Sequence, residues 1–243
     1  GVIHILEHSV LCGSEKYTVK EPFVELLKSS MSTFLNAMTF PDKTLYPVSS
    51  RNTQDYLNLT SVYLDAVFAP KILSNPNIFR QEGWHYEYDG EHLTYNGVVF
   101  NEMKGAMSSV DGVIEEAVQP LLFPDTAYGY NSGGDPTAIP NLTYEKFIDS
   151  YQRHYHPSNA RIYLYGDIPL EETLTLLDSY LSRFEASCAW PAFIFQEPHA
   201  ARKTVYYEAA NQDDLENQAQ IVWGKIFCEW SDQVSILAAS VLS

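Results

Sequence analysis

The chain has 243 residues, 45% of them hydrophobic, with 31 acidic against 15 basic side chains and a formal net charge of -16. That length holds one large domain, or one domain and part of another, and the apolar fraction is enough for a sizeable core. The acidity excludes a phosphate backbone as a ready partner, so nucleic acid is not expected, while basic peptides are attracted where the charge does more than keep the protein dissolved.

Val2 to Cys12 carries apolar residues at Ile3, Leu6, Val10 and Leu11, close to helical period, and Gly13 supplies a stop. Pro22 to Ser29 reads as a short helix with Pro in its first turn. Ser32 to Thr39 and Thr44 to Val48 read as strands joined by the turn Phe40-Pro41-Asp42-Lys43, which makes a hairpin. Thr53 to Phe68 is a long amphipathic helix with Tyr56, Leu59, Tyr63, Leu64 and Val67 inward, closed by Pro70. Trp84 to Tyr88 reads as extended, and Asn101 to Ser108 as a helix inside the apolar run Gly97 to Met107. Asn131-Ser132-Gly133-Gly134-Asp135-Pro136 lacks the Lys and Ser/Thr of a phosphate loop and is read as a turn. Thr143 caps a helix to Tyr151, Arg161 to Tyr165 is a strand, and Leu170 to Phe184 is a helix. Pro191 and Pro198 mark a linker. Beyond it, Lys203 to Glu208 and Gln220 to Phe227 read as strands before an apolar stretch, Val234 to Leu242.

The aromatic content, 14% with 17 Tyr, favours sheet layers with helices on a face over a plain helical bundle. Cys12, Cys188 and Cys228 are few, odd in number and widely spaced, which is neither a disulfide framework nor a thiolate metal cluster and fits a reducing compartment. No apolar run reaches the roughly 18 to 20 residues that span a bilayer, and no signal peptide is visible, so no membrane partner is expected. The chain opens without an initiator Met and places its strongest motif at residue 4, so its native start is expected upstream.

That motif is HILEH. On a helix His4, Glu7 and His8 fall at i, i+3 and i+4 and share one face. Two imidazoles four residues apart can grip one zinc ion through one ring nitrogen each. Glu7, set between them, can take a proton from a water held by the metal and later deliver it to a leaving amine. The order H-x-x-E-H, reversed from H-E-x-x-H, defines the inverzincins. The bland alternative is two surface histidines beside a solvated Glu. A tetrahedral zinc needs one more protein ligand besides water, and a carboxylate suits hydrolysis. Glu82, Glu102, Glu115 and Glu116 are all candidates. Glu102 sits in GVVFNEMKGAM, where a charged residue in an apolar run calls for a partner. His154 and His156 flank Tyr155 before a Pro turn and are assigned a structural role; His85 and His92 have no partner at ligand spacing.

Taken together, GVIHILEHSVLCGSEKY, STFLNAMTFPDKTLYPVSS, GVVFNEMKGAM and RHYHPSNARIYLYGDIP resemble the presequence protease branch of the insulinase-like (M16) zinc metallopeptidases, in matching order from Gly1 to about Phe184. The resemblance implies that His4, His8 and Glu102 are the zinc ligands, one ion per chain, and that Glu7 is the general base. It implies that Asn36 and Ala37, in LNAMT, belong to an edge strand to which an unfolded peptide adds as an extra strand. Phe23 and Leu27 resemble residues lining a hydrophobic pocket beside the metal, with ordinary helix packing as their other reading. The implied fold is α+β, an antiparallel sheet with helices packed on it, duplicated so that two halves enclose a chamber. Residues 1–185 would be the zinc-binding domain, 186–198 a linker and 199–243 the start of a second, similar domain. The family's distal half supplies an Arg and a Tyr that stabilise the oxyanion, so this polypeptide alone is expected to be a poor peptidase and its C-terminal half a necessary partner. Some relatives carry an extra Glu where Tyr95 stands, so no supporting carboxylate is expected there. A cytoplasmic location is implied if the source is bacterial, and mitochondrial matrix or plastid if eukaryotic. Two other functions stand beside a peptidase: a non-catalytic scaffold subunit, and a metallohydrolase or lyase of the same fold such as S-ribosylhomocysteine lyase, whose extra Cys ligand has no counterpart here.

Overall fold

A computed structural model describes residues 1–19, 22–187, 194–208 and 218–242. The chain divides into two compact units, Gly1–Ala106 with Asn131–Ala192, and Met107–Tyr130 with Phe193–Ser243.

The first unit is built around helix α1 (Val2–Val10). Ile5, Leu6 and Val10 repeat at helical spacing and are fully buried, and Gly13 ends the turn beyond the helix with φ +110°, a conformation that costs an L side chain dearly. The same helix turns His4 and Glu7 inward, at 7% and 6% exposure. Around it pack α4 (Pro76–Glu82), α5 (Val98–Ala106) and α7 (Tyr144–His154). Phe79 of α4 and Phe147 of α7 meet with ring centroids 5.0 Å apart. Helix starts carry the caps that their sequence offers: Asn75 accepts from Asn77 N at 3.2 Å, and Thr143 from Lys146 N at 3.4 Å. A second cluster joins α3 (Thr53–Phe68), capped by Asn52, to α8 (Leu170–Leu181) through Leu64, Phe68, Leu177 and Tyr180. Because Leu6 is wholly enclosed, Leu6→Ala is expected to lower the unfolding free energy by roughly 2–5 kcal/mol, read as a shifted denaturant midpoint.

The expected hairpin is present but interrupted. Four short strands, β1 (Ser32–Leu35), β2 (Met38–Thr39), β3 (Thr44–Leu45) and β4 (Val48–Ser50), form two antiparallel ladders, β1 with β4 and β2 with β3. Asn36 and Ala37 fall in the gap, opposite Pro47, which has no N–H to give the ladder. Pro47 still accepts from Asn36 N at 3.2 Å. The extended segment at Trp84 is likewise a hairpin, β5 (His85–Tyr88) with β6 (Leu93–Asn96). α2 (Pro22–Ser29) has the expected bounds.

The second unit holds α6 (Val110–Leu122), with Ser109 accepting from Gly112 N at 3.1 Å, and α9 (Gln233–Leu242) over the apolar stretch at its end. Asp125 and Gln196 exchange two hydrogen bonds of 3.0 and 2.9 Å within this unit. The strands expected at 161–165, 203–208 and 220–227 do not form: among the described residues these segments have no ladder partner. A strand is stable only as a member of a sheet, so β-rich composition alone does not make one. Tyr163, Tyr165, Tyr206 and Trp223 are each at least 85% exposed there. The expected linker falls in part, at 188–193, on residues outside those described.

Candidate metal centre

One face of α1 and one face of α5 meet in a cleft of about 690 Å³ within the first unit. Helical spacing puts His4, Glu7 and His8 on the same side of α1, and the His4 and His8 rings stand edge to face with centroids 4.9 Å apart. Glu102, on the second turn of α5, reaches across to them. Its Oε2 lies 3.7 Å from His4 Nε2 and 3.6 Å from His8 Nε2. One ligand atom from each of the three lies within 4.8 Å of the others, an arrangement able to hold a metal ion, and it is the only such group among the described residues. Of the four carboxylates open on sequence grounds, Glu102 is the one placed with both imidazoles. Glu82 lies behind His8, and Glu115 and Glu116 belong to α6 of the second unit.

The far nitrogen of each ring is also engaged. His4 Nδ1 is 3.0 Å from the carbonyl of Gly133, and His8 Nδ1 is 3.5 Å from Glu82 Oε2. A neutral imidazole carries one proton, and an acceptor at Nδ1 draws it there, leaving the Nε2 lone pair for a cation. Both Nε2 atoms are the ones that face Glu102. The Gly133 carbonyl is placed by a turn needing φ +104° at Gly134, where a Cβ would strike the Gly1 backbone. Burial works to lower the His8 pKa, but the Glu82 hydrogen bond and the charges of Glu7, Glu82 and Glu102 outweigh it and leave it raised. For Glu82 burial works upward and is outweighed by the hydrogen bonds of His8, Gln81 and Cys12, so its pKa is lowered.

Glu7 is buried and its Oε2 accepts from Thr39 Oγ1 at 2.5 Å, a contact that joins α1 to β2. Asn36, Ala37 and Phe23 line the same cleft. Asn36 and Ala37 lie between strands rather than in one, and the Asn36 side chain accepts from Ala37 N at 2.9 Å, an N–H that an added peptide strand would have to win. Leu27 lies on α2, and its side chain is outside the described residues. His156 caps a turn, with Nδ1 accepting from Ser158 N at 3.2 Å, in keeping with its assigned structural role. Tyr95 packs among Trp84, Tyr86 and Phe100.

Two members of this site, Thr39 and Gly133, escape a reading of the sequence, and a third, Glu82, appears there only as one of four candidate ligands. Thr39 looks like one more strand residue. Gly133 sits in a turn, where only the doubled glycine hints at close backbone approach. Glu82 carries a carboxylate but no spacing that ties it to His8.

A family model described as the peptidase M16 inactive domain matches residues 141–243. His4, Glu7, His8 and Glu102 lie outside that range. Protein HypA of Clostridium perfringens is 48% identical over 248 residues, covering 100% of this chain and 26% of its own length. Presequence protease 1, chloroplastic/mitochondrial, of Arabidopsis thaliana is 52% identical over 226 residues, covering 90% of this chain and 21% of its own. The chain thus spans about a fifth to a quarter of the length of the curated relatives it matches. In fold it is similar to the periplasmic protease PqqL of Escherichia coli, with a TM-score of 0.60 at 21% identity over 80% of this chain and 20% of that one. Among the described residues no helix is long and apolar enough to cross a membrane. An α+β arrangement of this kind, with relatives of this identity, places the chain in the M16 peptidase family, as a presequence-protease-like stretch.

Proposed function

We propose that this stretch forms the metal-binding part of a zinc endopeptidase acting on short unfolded peptides, with His4, His8 and Glu102 as ligands and Glu7 as general base. The observation that carries the reading is the convergence of two Nε2 atoms and one carboxylate oxygen on a shared point in an open cleft. Two imidazole nitrogens and an oxygen suit zinc, and Glu102, with its side chain 51% exposed, leaves the centre open to a reactant. Zinc held there supplies a Lewis acid that polarises the scissile carbonyl and makes water a stronger acid.

The protein's own groups supply the rest. Glu7 takes the proton of the attacking water and returns it to the leaving amine. Thr39 fixes one Glu7 oxygen, leaving the other for that exchange. The cleft wall at Asn36 and Ala37 receives the peptide backbone, and Phe23 contributes apolar surface beside it. A net charge of -16 favours cationic peptides. Closure into a chamber, and stabilisation of the oxyanion, fall to a distal half, so this chain by itself is a poor catalyst.

The test is peptide hydrolysis by a polypeptide carrying this stretch together with a distal half. A chelator should abolish turnover and added zinc restore it; turnover that survives complete zinc removal sinks the proposal. Thr39→Val keeps the side chain's shape and removes the hydroxyl. At about 1.5 kcal/mol for a hydrogen bond to a charged group, kcat should fall about tenfold with zinc content unchanged.

A second reading, a non-catalytic subunit, draws on the description of the matched model as an inactive domain. That match leaves out residues 1–140 and so does not bear on the cleft. Zinc binding with no hydrolysis in the longer polypeptide would favour it.

A further inference from the structure

Glu82 is a buried ionisable group to which the proposed reaction gives no part. It ends α4, its side chain is 7% exposed, and a carboxylate that is so enclosed is stable only with partners. Those partners divide between its two oxygens. Oε1 accepts from Gln81 Nε2 at 2.9 Å and from Cys12 Sγ at 3.4 Å, while Oε2 lies 3.5 Å from His8 Nδ1.

We propose that Glu82 is a positioning residue for His8: its carboxylate holds the ring as the Nδ1–H tautomer and so aims the Nε2 lone pair at the metal. This rests on the metal-centre reading above.

His8 Nε2 faces Glu102 at 3.6 Å and its Nδ1 faces Glu82, so the two carboxylates address opposite nitrogens of one imidazole. Only one of those nitrogens can carry the proton of the neutral ring, and Glu82, enclosed and held through Oε1, competes for it against the half-exposed Glu102. Gln81 and Cys12 both donate to Oε1, and Oε2 is the oxygen that faces the ring. His4 shows the same division with a weaker acceptor, the Gly133 carbonyl, at Nδ1. A carboxylate partner also raises the basicity of a ligating imidazole more than a carbonyl does. A merely structural Glu82 is a poor explanation, because α4 already packs through buried Ile78 and Phe79.

Two measurements on this chain test it. Long-range proton–nitrogen NMR of the metal-free, histidine-labelled protein, at a pH where His8 is neutral, should show the Nδ1–H form. Glu82→Ala should shift the ring to the Nε2–H form, while Glu82→Gln, which keeps an acceptor oxygen, should hold the wild-type tautomer. Competition with a chromophoric chelator should show Glu82→Ala binding zinc about 10–100-fold more weakly, with Glu82→Gln nearer to wild type. Wild-type His8 in the Nε2–H form, or undiminished zinc affinity in Glu82→Ala, overturns the inference. Should Glu82→Ala fail to fold by circular dichroism, the wild-type tautomer still decides. Failure of the wild-type chain to take zinc overturns the metal-centre reading instead, and the metal-free tautomer continues to test Glu82 alone.

Discussion

Glu7→Gln should cut peptide hydrolysis by a longer polypeptide carrying this stretch by about two to four orders of magnitude, the range typical of a lost general base. The substitution keeps the volume of a side chain that is 6% exposed, and the amide oxygen can still accept from Thr39. It removes only the capacity to take a proton. Zinc affinity should therefore stay close to wild type, since Glu7 is not among the three converging ligands. The decisive comparison is kcat against zinc content in the same preparation. Retention of more than about a tenth of wild-type kcat would be too much for a missing base and would move that role to another group.

Glu102→Ala is the second large effect. It leaves two imidazoles to hold the ion, and the loss of affinity should exceed the 10–100-fold worth of a partner that only supports a ligand. The alanine sits on an exposed part of α5, where a good helix former replaces a side chain that is half in solvent, so folding should be unaffected. Glu115→Ala and Glu116→Ala, both on α6, serve as controls that should leave zinc binding unchanged. Equal zinc affinity in Glu102→Ala and wild type would dissolve the proposed centre.

Much of this site can be read from sequence because it is local. His4, Glu7 and His8 are fixed by one helix, whose period is plain from Leu6 and Val10, and a fixed period needs no tertiary information to predict which side chains share a face. Glu102 is a different case. A charge in an apolar run says that a partner exists, not which one, so residue chemistry alone leaves Glu82, Glu115 and Glu116 level with it, and only family resemblance singles it out. The contacts from Thr39 to Glu7 and from Gly133 to His4 join residues 32 and 129 positions apart, and no periodicity encodes them. α6 is hard to foresee, since Gly112 and Pro120 both count against a helix, yet its Ser109 cap and 13-residue length prevail. The unformed strands err in the opposite direction: Arg161 to Tyr165 has strand composition but no strand to pair with among the described residues.

A Cβ placed on Gly133 would come within 2.7 Å of Met103 Cε, so this turn rests directly on the residue that follows Glu102. The brace behind one imidazole and the rod that bears the carboxylate are therefore in mechanical contact. Displacing either disturbs the other, and the site should assemble as a unit, with half-formed states sparsely populated.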